Sequence, residues 1–255
     1  MTSDNQSVIA QIFGGEKESL VACARDIDAK YKFQGIELNM GCPSPKIYSC
    51  AAGSGMLRDK AYTLEIIKTI AGSITTPFSI KTRVGLNKED QDTQLQFLLD
   101  AAPYVSTITI HGRTFGQSHA GEVNRDFIYR LKEQLPNHII IGNGGLRTYQ
   151  DGQDKLGNLD GMMRGQSAIG NPWILTPHTP TLEERYETIM HHIHLIILCE
   201  INFTQQKSHR SGTLGISSYE EFIEQEKNIL TIISRNNYDQ RCLLEFRKYL
   251  FGYIN

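Results

Sequence analysis

Six short runs of β-favouring residues recur along the first two-thirds of the chain, each followed by a stretch with helical periodicity. No other feature limits the possible folds so strongly. The runs are 8–13, 35–39, 77–83, 106–111, 138–143 and 160–164. Amphipathic helices are expected between and after them, near 16–31, 59–71, 90–102, 124–135 and 148–157. In one of these, Tyr62, Ile66, Ile67 and Ile70 share a face at a spacing near 3.6 residues. Strand–helix units of about 30 residues argue for parallel βα units. Two architectures compete: a closed (β/α)8 barrel and an open doubly wound sheet. No Gly-x-Gly-x-x-Gly follows the first strand, so the dinucleotide-binding form of the open sheet loses ground.

Alternation within the strands carries the next piece of information, because successive side chains of a strand point to opposite faces. Ser79, Lys81 and Arg83 share a face opposite Phe78, Ile80 and Thr82; Thr107, Thr109 and His111 share a face opposite Ile108 and Ile110. Polar residues gather at the C-terminal strand ends: Asn39, Lys81, Arg83, His111 and Asn143. Barrel enzymes build their sites at that end.

After Pro172 and Trp173 the pattern changes. A Pro-rich linker, 176–180, leads into helical patterns near 182–202, 218–235 and 239–253, with Ile189, Ile193, Ile196 and Ile197 as one apolar stripe. Of the 255 residues, 40% are hydrophobic and 21% charged, enough to build a globular core. No run is long and apolar enough to cross a bilayer. Lys plus Arg number 26 against 28 Asp plus Glu, so a non-specific polyanion binder is excluded and any RNA is held by a local patch or by shape. Five cysteines without framework spacing read as free thiols in a reducing cytoplasm. Cys23, Cys199 and Cys242 sit in helical patterns and are expected in the core. Cys42 and Cys50 have an unpersuasive metal spacing, and His191, His192 and His194 lack matching ligands, so no metal is expected.

Several residues could carry chemistry. Gly41 and Pro43 set a sharp turn that holds Cys42 at a strand mouth; a thiol titrating near 8.5 is protonated at neutral pH and able to act as a general acid, or the residue is a structural cysteine beside a turn. Lys81 and Arg83 on one inward face call for an anionic or electron-rich partner, which could be a ligand or Glu37. His111 at a strand end, with Arg113 in the following loop, suits a site or a hydrogen-bonded core. Asn143-Gly144-Gly145 and Gly165-Gln166-Ser167 offer free backbone N–H groups for a phosphate, or are ordinary βα turns.

Taken in order, segments 8–14, 35–43, Lys81-Thr-Arg83, Ile110-His-Gly-Arg-Thr114, Gly142-Asn-Gly-Gly145 and 168–173 resemble the tRNA-dihydrouridine synthase family, and 246–253 resembles its helical RNA-binding domain. The resemblance implies an α/β fold of the TIM (β/α)8-type barrel followed by a small helical domain. The boundaries are a flavin mononucleotide (FMN)-binding catalytic domain at 1–178 and a tRNA-binding domain at 179–255. It implies FMN-dependent reduction of the C5=C6 bond of particular uridines in tRNA, with NADPH or NADH recharging the flavin. Carried over by position, Gln11, Lys81 and His111 would meet the flavin ring. Asn143, Gly144, Gly165 and Gln166 would hold its phosphate. Asn39, Arg83 and Arg113 would hold the substrate, and Cys42 would donate a proton to C5. Lys46 and Arg58 are further loop cations for the RNA backbone.

Departures from the family pattern accompany the match. Two βα units expected before residue 8 are missing, and the helical domain is expected to stop early. Six strands leave two open edges, which invites self-association. Gln166 stands where the family has an Arg, and Arg125 where a Trp is common. Two alternatives follow: a shortened tRNA-binding relative without catalysis, and a flavin oxidoreductase acting on free pyrimidines.

Overall fold

The computed structural model describes residues 8–208, with side chains to residue 196. The helices expected at 218–235 and 239–253, Cys242, the Cys199 side chain and the 246–253 motif lie outside the described residues. Two compact units divide the chain, one ending at Gly165 and the other beginning at Gln166.

In the first unit the elements run β1 (Ile9–Ile12), α1 (Lys17–Lys30), β2 (Gly35–Met40), α2 (Pro45–Ser49), a 3-10 turn (Gly53–Arg58), α3 (Lys60–Ala71), β3 (Phe78–Arg83), α4 (Gln91–Ala101), β4 (Thr107–His111), α5 (Arg125–Gln134), β5 (Ile139–Asn143), α6 (Tyr149–Asp154) and β6 (Gly161–Met163). Among the described residues six strands, all parallel, lie in the order β1-β2-β3-β4-β5-β6. That order never reverses, so the topological switch of a doubly wound sheet is missing and the βα rhythm is that of a (β/α)8-type barrel with six strands present. Among the described residues β1 pairs with β2 alone and β6 with β5 alone. Val8, Ile9 and Phe13 are exposed beside the β1 edge.

The helix-facing side of the sheet is apolar. Ile36, Leu38, Met40, Ile80, Ile108, Ile110 and Ile140 are fully buried and pack with Leu20, Ile66, Ile67, Ile70, Leu98 and Leu131 from the helices. Burial of this kind contributes roughly 1.5–3 kcal/mol for each large aliphatic side chain. The polar residues that alternate with these strand positions therefore face the other way.

Two sequence expectations need correction. The buried face of α3 carries Thr63 with Ile66, Ile67 and Ile70, whereas Tyr62 is 38% exposed. Thr63 can be buried because its hydroxyl donates to the Met56 carbonyl at 2.7 Å. Cys23 is exposed, not core, because α1 buries Leu20, Val21 and Ala24 on a face that Cys23 does not share.

The second unit begins with short 3-10 turns at Gln166–Ala168 and Pro172–Leu175 and continues in α7 (Leu182–Ser208). A capping box starts α7: the Thr181 hydroxyl accepts the Glu184 N–H, and the Glu184 carboxylate accepts the Thr181 N–H. Ile189, Ile193 and Ile196 are half-buried along one stripe of α7. Among the described residues no helix is long and apolar enough to cross a membrane.

Candidate active site

Strand register sets side chains in level rows on the face turned away from the helices. Asn39, Lys81 and Thr109 form one row, and Arg83, His111 and Asn143 form the next, nearer the C-terminal ends. The polar strand-end residues expected from the sequence thus lie side by side.

A hydrogen-bonded chain crosses β1 and β2. Gln11 Nε2 donates to Glu37 Oε1 at 2.5 Å, and Gln11 Oε1 accepts from Asn39 Nδ2 at 2.9 Å. Asn39 Oδ1 accepts the backbone N–H groups of Gly41 and Cys42, both at 3.1 Å. A short side-chain amide turning its own backbone in this way is what favours Asn at loop starts. On the other side of the turn, the Cys42 carbonyl accepts from the Ser54 hydroxyl at 2.7 Å and the Ser54 N–H at 3.1 Å. Ser54 is fully buried. The Cys42 backbone is therefore held at both its amide and its carbonyl, while its thiol is half-buried and unpaired with another cysteine.

Arg83 is 2% exposed and joins two loops, the one after β2 and the one after β4. Its Nε donates to the Gly41 carbonyl at 2.6 Å, and its Nη1 to the carbonyls of Thr114 and Ser118 at 3.0 and 2.7 Å. Desolvation pushes its pKa down to about 10, partly offset by the nearby Cys42, so the guanidinium stays charged at neutral pH. Lys81 Nζ points toward Asn143 Oδ1 at 3.5 Å. Burial lowers the Lys81 pKa, Glu37 raises it, and Arg83 lowers it again. Neither cation forms an ion pair with Glu37, whose carboxylate is engaged by Gln11; Glu37 acts on Lys81 only through its charge.

His111 is 7% exposed. Burial, together with Arg83, Lys81, Arg113 and His119, pushes its pKa down to about 3, so the imidazole is neutral across the physiological range. The His119 ring lies 6.1 Å from that of His111. Arg113 belongs to the same mouth, and its Nε is tied to the Gly121 carbonyl at 2.9 Å. Asn143 Nδ2 donates to the Met163 carbonyl at 2.9 Å, which fixes the amide between β5 and β6.

The glycines after β5 and β6 behave differently. Gly144 has φ +108, and a Cβ there would meet the His111 ring at 2.7 Å. Around Gly165 nothing lies within 4 Å of where a Cβ would stand. Gln166 opens the second unit. Among the described residues Arg125 Nε is buried without a partner, while Arg125 Nη2 donates to the Gly144 carbonyl at 3.1 Å. A half-buried arginine beside Gly144 whose Nε is unsatisfied, together with the open space at Gly165, fits a phosphate-bearing group. Among the described residues no three of His, Cys, Asp and Glu gather as a metal site.

Ser54, Thr114 and Ser118 hold site residues but were not singled out in the sequence. The small-residue run Gly53-Ser54-Gly55, following a Gly-Cys-Pro turn, is a signal that could have found Ser54. Arg58, expected at RNA, has its Nε and Nη2 bonded to the carbonyls of Gly55 and Tyr48, both at 3.2 Å.

Comparison with known proteins adds the following. A family model described as "Dihydrouridine synthase (Dus)" matches residues 1–230. The chain is 28% identical over 215 residues to a "Probable tRNA-dihydrouridine synthase" of Rickettsia typhi, a match that covers 77% of this chain and 64% of the relative. A "tRNA-dihydrouridine(20/20a) synthase" of Xylella fastidiosa is 30% identical over 184 residues, 68% of this chain and 55% of the relative. A "tRNA-dihydrouridine synthase B" of Pasteurella multocida is 30% identical over 196 residues, 72% of this chain and 58% of the relative. The matches span between 55% and 64% of the length of these relatives.

Proposed function

The chain belongs to the dihydrouridine synthase family, and from that premise we propose that it reduces the C5=C6 bond of uridine in tRNA with flavin mononucleotide as cofactor and NADPH or NADH as electron donor. The observation that carries this reading is the meeting of a half-buried thiol, the Arg83 guanidinium, the Lys81 amine and a neutral imidazole at one end of the sheet.

A flavin held here would supply the hydride that reduces C6 of the uracil. The electron pair released at C5 then takes a proton from the Cys42 thiol, which recovers its proton from solvent. Asn39 and Ser54 hold the Cys42 backbone, so the thiol is presented without a search through loop conformations. Arg83 contributes a permanent positive charge beside Cys42 and stabilises negative charge that develops on the base. Asn39 takes part in holding the substrate through the Cys42 turn, and Arg113 serves the nucleotide at the mouth. Lys81, Gln11 and His111 would line the flavin ring; a neutral His111 donates or accepts one hydrogen bond there without adding charge. Asn143, Gly144 and Gly165 would hold the phosphate. A uridine reaches such a mouth only when turned out of its stack. Among the described residues β1 pairs with β2 alone and Val8 and Ile9 are exposed beside it, and self-association along that edge is a further part of this reading.

The test is mass mapping of tRNA after incubation with the protein, flavin mononucleotide and reduced nicotinamide. The expected result is a gain of two hydrogens at defined uridines. Flavin absorbance near 450 nm without any such gain, together with reduction of free uracil, would move the assignment to a free-pyrimidine enzyme. Binding of tRNA without flavin would make the chain a non-catalytic relative.

A further inference from the structure

Tyr48 and Phe115 are 67 residues apart in sequence, yet their rings stack face to face with centroids 4.1 Å apart and planes 11° from parallel. Tyr48 lies in α2, in the loop region that follows Cys42; Phe115 lies in the loop that follows His111. Both rings are half-buried, and neither belongs to the core between sheet and helices.

Three further contacts brace the pair. The Arg58 guanidinium lies 4.8 Å from the Tyr48 ring centroid and donates to the Tyr48 carbonyl. Gly55 packs so closely that a Cβ would meet the Tyr48 carbonyl oxygen at 2.5 Å. On the other loop, the N–H groups of Phe115 and Gly116 donate to the carbonyls of Gly85 and Leu86 at 3.0 and 3.1 Å. Arg83 bridges the same two loops separately, through the carbonyls of Gly41, Thr114 and Ser118. Both loops also contain a non-glycine residue with positive φ, Ala51 at +54 and Ser118 at +50. Backbone in that region costs of order 1–3 kcal/mol and persists only where surrounding contacts hold it.

We propose that the Tyr48–Phe115 stack is a latch that joins the Cys42 turn to the loop after His111 and sets where the Cys42 thiol stands. Tyr48 and Phe115 are positioning residues: they act on the reaction through Cys42. Asn39 and Ser54 anchor the Cys42 turn from within its own βα unit, and Arg83 anchors it through Gly41. The stack is the side-chain contact that ties the segment after Cys42 to the next loop at the mouth. As a statement about catalysis it rests on the function proposed above; as a statement about Cys42 it stands on geometry alone.

The experiment compares wild type, Phe115→Ala, Phe115→Tyr and Tyr48→Leu on the full chain. Alkylation of Cys42 by iodoacetamide is followed by peptide mass spectrometry, with the exposed Cys23 on α1 as internal reference. In Phe115→Ala and Tyr48→Leu the Cys42 rate is expected to rise about three- to tenfold relative to Cys23, with Phe115→Tyr at the wild-type rate. In the tRNA assay the same two variants lose kcat by a similar factor while KM for tRNA and flavin absorbance hold. An unchanged Cys42:Cys23 ratio in both disrupting variants overturns the proposal, as does a parallel rise at both cysteines or a loss confined to KM. If no variant and no wild type forms dihydrouridine, the functional reading fails and the alkylation ratio still decides the latch.

Discussion

Asn39 holds the backbone of Cys42: its side-chain oxygen accepts the Cys42 N–H at 3.1 Å while its Nδ2 donates to Gln11. One amide therefore links the strand-borne polar chain to the reactive turn. Asn39→Ala leaves the Gly41 and Cys42 amides without that acceptor. It is expected to cost about 1–2 kcal/mol of stability and about tenfold or more in dihydrouridine formation. Asn39→Asp keeps an acceptor and should recover more stability than activity. Thermal melting and the tRNA assay on the two variants check this.

Arg83→Lys keeps a positive charge and loses the planar fork. A single ammonium cannot serve the carbonyls of Gly41, Thr114 and Ser118 from the same position. The expected loss is about 1.5–3 kcal/mol, measured by denaturant unfolding. Equal midpoints for the variant and wild type would show that these three bonds do not hold the loops.

Gly144 and Gly165 make a matched pair of tests. Gly144→Ala drives a Cβ into the His111 ring at a φ of +108, so about 1–3 kcal/mol of stability should be lost. Gly165→Ala meets nothing within 4 Å, and its stability should stay within about 0.5 kcal/mol of wild type. If a phosphate is held at Gly165, that same variant weakens flavin binding, read by fluorescence titration. Full flavin affinity in Gly165→Ala would remove that residue from the cofactor site.

The buried His111 makes a pH prediction. Its usual value is 6.5 and the fold lowers it to about 3, so between those limits the unfolded chain binds the extra proton. The stability contributed by neutral His111 is complete above about pH 6.5 and is lost progressively as pH falls toward 3. His111→Gln should show a shallower fall in melting temperature than wild type across that window. Parallel curves for the two proteins would contradict the burial assigned to His111.

Much of this was legible in the sequence because strands and helices announce themselves by local periodicity. The polar, apolar alternation in 77–83 and 106–111 was enough to put Lys81 with Arg83, and Thr109 with His111, on one face of each strand; the register that sets Arg83 beside His111 was not. Less was legible where partners are distant in sequence. The two inward cations left a ligand or Glu37 open as their partner; Gln11, from another strand, engages Glu37, and backbone carbonyls take Arg83. Nothing local marks Tyr48 and Phe115 as neighbours, and α2 was missed because a five-residue helix that begins at Pro45 reads as loop. Thr63 displaced Tyr62 from the core because its hydroxyl found a carbonyl, a pairing that periodicity alone does not reveal.

Replacement of Cys42 by Ala in the tRNA reduction assay tests the central claim most directly. The account predicts that the variant retains bound flavin, with absorbance near 450 nm, while dihydrouridine formation falls by about 10²–10⁴. Dihydrouridine formed at the wild-type rate by Cys42→Ala would contradict it.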